Sequence, residues 1–132
     1  MVKSVTIDSS VIISSLLPNE KRHEEACLIW GKVLSGETPA VMPCSVLVEV
    51  VAAIRRRTGS ELLAVEVQKT LENISAISFV MLDSRAAAKA CKVATKTGLR
   101  GMDALVVQVA REFKAELITF DIEMQQKAAT VL

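Results

Sequence analysis

Four short apolar runs separated by long helical patterns constrain this chain more than any other feature. Residues 2–7, 40–42, 77–82 and 116–120 are rich in β-branched and apolar side chains and read as strands. The segments between them carry apolar residues at helical spacing: 9–17, 20–35, a helix capped by Ser45 and running to Thr58, another capped by Ser60 and running to Asn73, then 85–97 and 102–114. Gly36, Gly59 and Gly98 stand where helices should stop. A short helix and a tail close the chain. Strands joined through helices cannot pair as hairpins; they need crossover connections, which lay them parallel. Parallel sheets are buried on both faces, and these strands are short and largely apolar. The expectation is an α/β fold, a single domain over residues 1–132, with helices on both faces of a short parallel sheet.

Composition removes several function classes. AVILMFWYC residues make up 51% of the chain, which excludes disorder and leaves apolar surface that one small core does not use up. Self-association is expected, most simply as a homodimer. Sixteen Lys and Arg against 15 Asp and Glu leave a formal charge of +1, so the chain is no bulk polycation. With three Phe, one Trp and no Tyr it is poorly equipped to stack nucleic-acid bases on aromatic rings. Cys27, Cys44 and Cys91 are widely spaced and His23 is the sole histidine, which argues against zinc and against a disulfide framework. The cysteines are expected as small buried hydrophobes in a reducing compartment. No apolar run reaches ~18 residues and the N-terminus lacks a cleavage signal, so the expected location is cytoplasmic, away from membranes.

Four acids stand where an apolar core predicts none. In open parallel sheets, sites form beyond the carboxyl ends of the strands. Asp8 and Asp121 each follow a strand directly, as does Asp83. An Asp there is also the favoured cap of the next helix, so position alone does not decide. Glu49 is harder to explain away. It is the only charge between Glu37 and Arg55, and its helical neighbours are Ser45, Val46, Ala52 and Ala53. Asp103 repeats the pattern between Arg100 and Arg111. A carboxylate held against apolar surroundings needs a partner, and neither acid has a basic mate beside it. Several carboxylates converging on one point call for a divalent cation, and an oxygen-only set suits Mg²⁺ or Mn²⁺.

Ile7-Asp8-Ser9-Ser10-Val11-Ile12, Val46-Leu47-Val48-Glu49-Val50, Gly101-Met102-Asp103-Ala104-Leu105 and Leu117-Ile118-Thr119-Phe120-Asp121 occur in this order across essentially the whole chain. Together they resemble the PIN-domain ribonucleases, and within them the small VapC-type toxins of toxin–antitoxin pairs. The resemblance implies a three-layer α/β/α PIN-like fold with a central parallel sheet of four or five strands. It also implies a Mg²⁺- or Mn²⁺-dependent endoribonuclease with RNA as substrate and an antitoxin as partner. Asp8, Glu49, Asp103 and Asp121 match the family's acidic quartet, with Asp8, Asp103 and Asp121 as metal contacts. Thr119 matches a hydroxyl that often lines that site. Ser10 stands where many relatives have Asn, and Glu123 where some have Asp or Asn. Asp83 matches no family site and is expected as a helix cap.

RNA must also be held beside an acidic pocket. Arg85, Lys89, Lys92 and Lys96 form one stripe on a helix, with Arg100 just beyond, and Lys89, Lys92, Lys96 and Arg100 are the candidate phosphate contacts. Arg55, Arg56 and Arg57 suit the C-terminal end of the Glu49 helix. His23 reads as a surface residue and Trp30 as packing. The same fold without an antitoxin would be a processing nuclease, and without turnover a binding module.

Overall fold

The computed structural model describes residues 3–132. Its elements in chain order are β1 (Val5–Ile7), α1 (Ser9–Leu16), α2 (His23–Leu34), β2 (Ala40–Pro43), α3 (Cys44–Thr58), α4 (Glu61–Glu72), β3 (Ile77–Val80), α5 (Ser84–Thr97), α6 (Gly101–Glu112), β4 (Glu116–Ile118) and α7 (Ile122–Ala128). The four strands form one parallel sheet in the order β3-β2-β1-β4. Among the described residues there is no fifth strand, and 129–132 form turns after α7. The fold is a three-layer α/β/α arrangement around a four-stranded parallel sheet, as the resemblance implied.

Burial explains the pattern. Val5, Thr6 and Ile7 are all buried, as a central strand covered on both faces requires. Thr6 is polar, and its hydroxyl donates to the Val41 carbonyl at 2.8 Å, so no donor is stranded in the sheet. Helix α6 packs on β1, β2 and β4 and carries α5 against it; α3 packs on β2, with α1 and α4 against it. Ile7, Ile12, Met42, Val50, Val107 and Met124 form the fully buried centre. Trp30 is also buried there. Gly59 and Gly98 end α3 and α5 at φ 71° and 72°, a left-handed conformation that a side chain would resist. Among the described residues no helix is long and apolar enough to cross a membrane.

Several local expectations need correction. Strands end sooner than their apolar runs: β3 stops at Val80 and β4 at Ile118, because the ladder extends only as far as the neighbouring strand pairs. The expected start of the first strand, Val2, lies outside the described residues. Ser45 does not cap α3. The helix begins at Cys44 after Pro43, and the Ser45 hydroxyl is buried with no hydrogen-bond partner among the described residues. Helix α2 begins at His23, since Glu20 and Arg22 stay in a turn that ties Glu20 to Arg57. Cys27 and Cys91 are exposed and Cys44 is half-buried, so none is a core hydrophobe. His23 is not a loose surface side chain, because its Nδ1 lies 2.7 Å from the Ser14 carbonyl. Ser60 does cap α4, accepting the Leu63 N–H at 3.0 Å.

Strand order locates the crevice. From β1 the chain moves outward to β2 and β3, then returns to lay β4 on the other side of β1. The connections leaving β1 and β4 therefore diverge at the carboxyl edge, which is where open parallel sheets bind ligands. Asp8 follows β1, and Thr119 and Asp121 follow β4, so all three come to that point.

Candidate active site

Asp8 occupies the cap position of α1 yet makes no side-chain cap bond. Asp83 and Asp121 do cap their helices: Asp83 Oδ1 accepts the Ala86 N–H at 2.8 Å, and Asp121 Oδ1 accepts the Met124 N–H at 3.1 Å. The buried Asp8 carboxylate is held by two hydroxyls. Ser10 and Thr119 both donate to its Oδ2, at 2.9 and 3.0 Å. With Oδ2 so occupied, Oδ1 has no side-chain partner among the described residues. Thr119 also accepts the Asp121 N–H at 3.1 Å, so one hydroxyl ties the acid after β1 to the loop carrying the acid after β4.

Glu49 on α3 and Asp103 in the first turn of α6 complete the group. Glu49, Asp103 and Asp121 line one cavity of about 710 Å³, together with Arg100 and a set of apolar side chains. Burial raises the Glu49 pKa above the ordinary glutamate range, and the charges of Asp8 and Asp103 raise it further, while the Ser9 hydroxyl opposes them. Asp103 is raised in the same way, first by burial, then by Asp8 and Asp121, with a smaller push from Glu123 and a partial offset from Arg100. Glu49 and Asp103 thus feel neighbouring carboxylates, and no cation among the described residues reverses either shift. Arg56 shares a shallow groove with Ser9 and Glu49 without reversing the Glu49 shift. Glu123 is bonded to Lys127 at 2.6 Å.

The donor chemistry is carboxylate oxygen from four separate elements. Among the described residues no three acid, imidazole or thiol groups close into a ready-made metal cage. Mg²⁺ does not need one: it keeps several waters and takes one or two carboxylates directly, so a loose oxygen-only array fits it and does not fit zinc.

The basic candidates separate. Arg100 lines the acidic cavity. Lys89 and Lys92 lie in a different groove, between α5 and α6, with Gln108, Arg111 and Glu112. Lys89 is paired with Glu112, which also accepts from Gln108 at 2.9 Å. Lys96 is exposed in the last turn of α5. One neighbour of the site left no signal in the sequence. The Arg22 guanidinium lies 3.7 Å above the Phe120 ring, between Thr119 and Asp121, and is held by two 2.8 Å bonds to Glu25. Only the fold brings these segments together.

Compared with known families, residues 5–130 match the PIN domain. The chain belongs to the PIN domain family. A search of curated proteins returned no match for this PIN domain. Among solved structures it is similar to the Mycobacterium tuberculosis VapC20, described as a Sarcin-Ricin loop cleaving toxin. The TM-score is 0.79 at 17% identity, over 98% of this chain and 97% of that one. It is also similar to a chain from a toxin–antitoxin complex of Klebsiella pneumoniae, with a TM-score of 0.63 at 18% identity, over 89% of this PIN domain and 87% of that chain. At such identities the likeness establishes the fold.

Proposed function

We propose that this PIN domain is a divalent-metal-dependent endoribonuclease and the toxin of a toxin–antitoxin pair, acting in the cytoplasm. The observation that supports the reading is electrostatic: near the switch point of the sheet Asp8 and Asp103 act on Glu49, and Asp8 and Asp121 act on Asp103, so four carboxylates from four elements are neighbours in charge. The fold shared with VapC20 and with a toxin–antitoxin complex supports the toxin assignment.

Asp8, Asp103 and Asp121 would hold Mg²⁺ or Mn²⁺. When bound, such an ion supplies charge neutralisation at the phosphate and lowers the pKa of water. The rest falls to the chain. Ser10 and Thr119 fix the Asp8 carboxylate so that one oxygen remains for the site. Glu49 orients the attacking water, whose oxygen bonds to phosphorus as the ester P–O bond breaks. Its raised pKa suits it to receive the proton. Arg100 faces the phosphate across the cavity, with Lys92 and Lys96 farther along α5 as weaker contacts; Lys89 must first leave Glu112. The exposed side chains Val48, Leu62, Leu63 and Val65 on α3 and α4 support apolar contact with protein partners, an antitoxin and a second copy of the chain.

The test is RNA cleavage by the purified chain with Mg²⁺ or Mn²⁺ and with EDTA. Cleavage that needs the ion and disappears with Asp103→Asn supports the reading. Full activity under chelation would refute the metal mechanism.

A further inference from the structure

Thr119, Phe120 and Asp121 lie between β4 and α7 and belong to neither, so no strand pairing or helix turn fixes them. Two of the three carry the site: the Thr119 hydroxyl holds Asp8 and accepts the Asp121 N–H. The residue between them, Phe120, is half-buried and packs against the core. Over its ring lies the Arg22 guanidinium, 3.7 Å from the centroid. A guanidinium is planar, and two bonds to one carboxylate fix its plane. Glu25 accepts both, from Nε and Nη2 at 2.8 Å each. The ring is therefore held by the core and by a cation that is itself locked. Arg22 ends the turn that joins α1 to α2, and the ion pair of Glu20 with Arg57 ties the same turn to α3, the helix of Glu49.

Two simpler roles fit Arg22 poorly. It is not among the charges that act on Glu49 or Asp103, so it does not neutralise the acids. Glu25 already engages two of its nitrogens, so an RNA phosphate would have to displace that carboxylate. We propose that Arg22 is a positioning residue for the metal centre: stacked on Phe120, it sets the loop from which Thr119 holds Asp8 and Asp121 meets the cation. This rests on the metal-dependent nuclease reading and extends it to a residue outside the acid cluster. The contact is exposed, so its loss weakens the site by a modest factor and does not abolish it.

The test compares the full-length parent with Arg22→Ala, Arg22→Lys and Glu25→Gln. It reads amide hydrogen exchange by NMR in EDTA, Mn²⁺ affinity by titration, and RNA cleavage kinetics at saturating Mn²⁺. Arg22→Ala should speed exchange at the Asp121 and Met124 amides and weaken Mn²⁺ binding, each by about two- to fivefold, the size of an exposed cation–π contact. Exchange in β1 should not change, which separates a local effect from lost stability. In cleavage, kcat should fall and KM for RNA stay constant. Arg22→Lys keeps the charge but loses the flat fork, so it should behave like Arg22→Ala; Glu25→Gln weakens the lock and should fall between them and the parent. A rise in KM at constant kcat, restored by Arg22→Lys, would make Arg22 an RNA contact and overturn the proposal. Unchanged exchange and Mn²⁺ affinity would overturn it too, as would exchange that quickens equally in β1. If the parent cuts no RNA, the expected changes in exchange and Mn²⁺ affinity would uphold the positioning role and refute the nuclease reading. Cleavage by the parent without those changes would do the reverse.

Discussion

Removing the Thr119 hydroxyl tests how the buried acid is held. Thr119→Val keeps shape and volume but deletes the donor to Asp8 Oδ2 and the acceptor for the Asp121 N–H. A hydrogen bond to a charged group contributes ~1.5–3 kcal/mol, and the exposed Asp121 N–H can turn to water, so the first bond sets the cost. The expected loss is about 2 kcal/mol, or roughly 5–8 °C for a domain of this size. Ser10→Ala removes the second donor to the same oxygen, from a half-buried position, and should cost about 1 kcal/mol. Either single variant leaves Asp8 one hydroxyl; the double variant leaves Oδ2 none. The double loss should therefore exceed the sum of the singles by about 1 kcal/mol. Urea unfolding at neutral pH in EDTA measures all four proteins without interference from metal. A Thr119→Val loss below about 0.5 kcal/mol, or simple additivity, would refute the two-hydroxyl clamp.

Three further outcomes follow from the same geometry. Glu49 and Asp103 both have raised carboxyl pKa values in the folded chain, so over the window from the ordinary carboxylate value up to the folded one the native state holds more protons. Their contribution to metal-free stability falls as pH rises through that window and stays low above it. The stability difference between Glu49→Gln and the parent should accordingly grow in favour of the variant from acid to neutral pH; a constant difference across paired unfolding curves would contradict this. Arg100→Ala should weaken RNA binding and reduce its salt slope by about 1, whereas Lys89→Ala should change the slope little because Glu112 already engages that lysine. Equal slopes for the two variants in a binding titration would erase the distinction. Sedimentation should detect self-association that weakens with Val48→Lys, a side chain 63% exposed in the parent; a monomer at high micromolar concentration would contradict it.

The parallel sheet was legible because strand-like runs alternate with helices and only crossovers can join them. Asp8, Glu49, Asp103 and Asp121 stood out as candidates for a different reason: each interrupts or ends an apolar run that a core alone would not break. Asp83 looked similar but resolves as a simple cap, which the sequence pattern also allowed. What stayed hidden depends on distant partners. Nothing local says that Ser10 and Thr119 share one oxygen of Asp8, that Arg22 stacks on Phe120, or that Glu112 captures Lys89. Ser45 misled because a serine before an apolar helical run usually caps it, whereas β2 leads through Pro43 directly into α3 and leaves the serine inside the first turn. The cysteines misled because composition sets an average burial, while Cys27 and Cys91 stand on outward parts of their helices.

The account stands on the claim that the four carboxylates converge on a cation and do not serve merely as structure. Melting temperature against Mg²⁺ concentration, for the parent and Asp103→Asn, tests it most directly. In EDTA the variant should melt at or above the parent, because it removes one of the charges that burial and Asp8 disfavour. Added Mg²⁺ should raise the parent by the mass action of binding to the folded state, ~2.7 kcal/mol at a hundredfold excess over Kd, and raise the variant less. If Asp103→Asn instead melts well below the parent in EDTA and gains as much from Mg²⁺, Asp103 is a structural residue and the proposed metal centre is wrong.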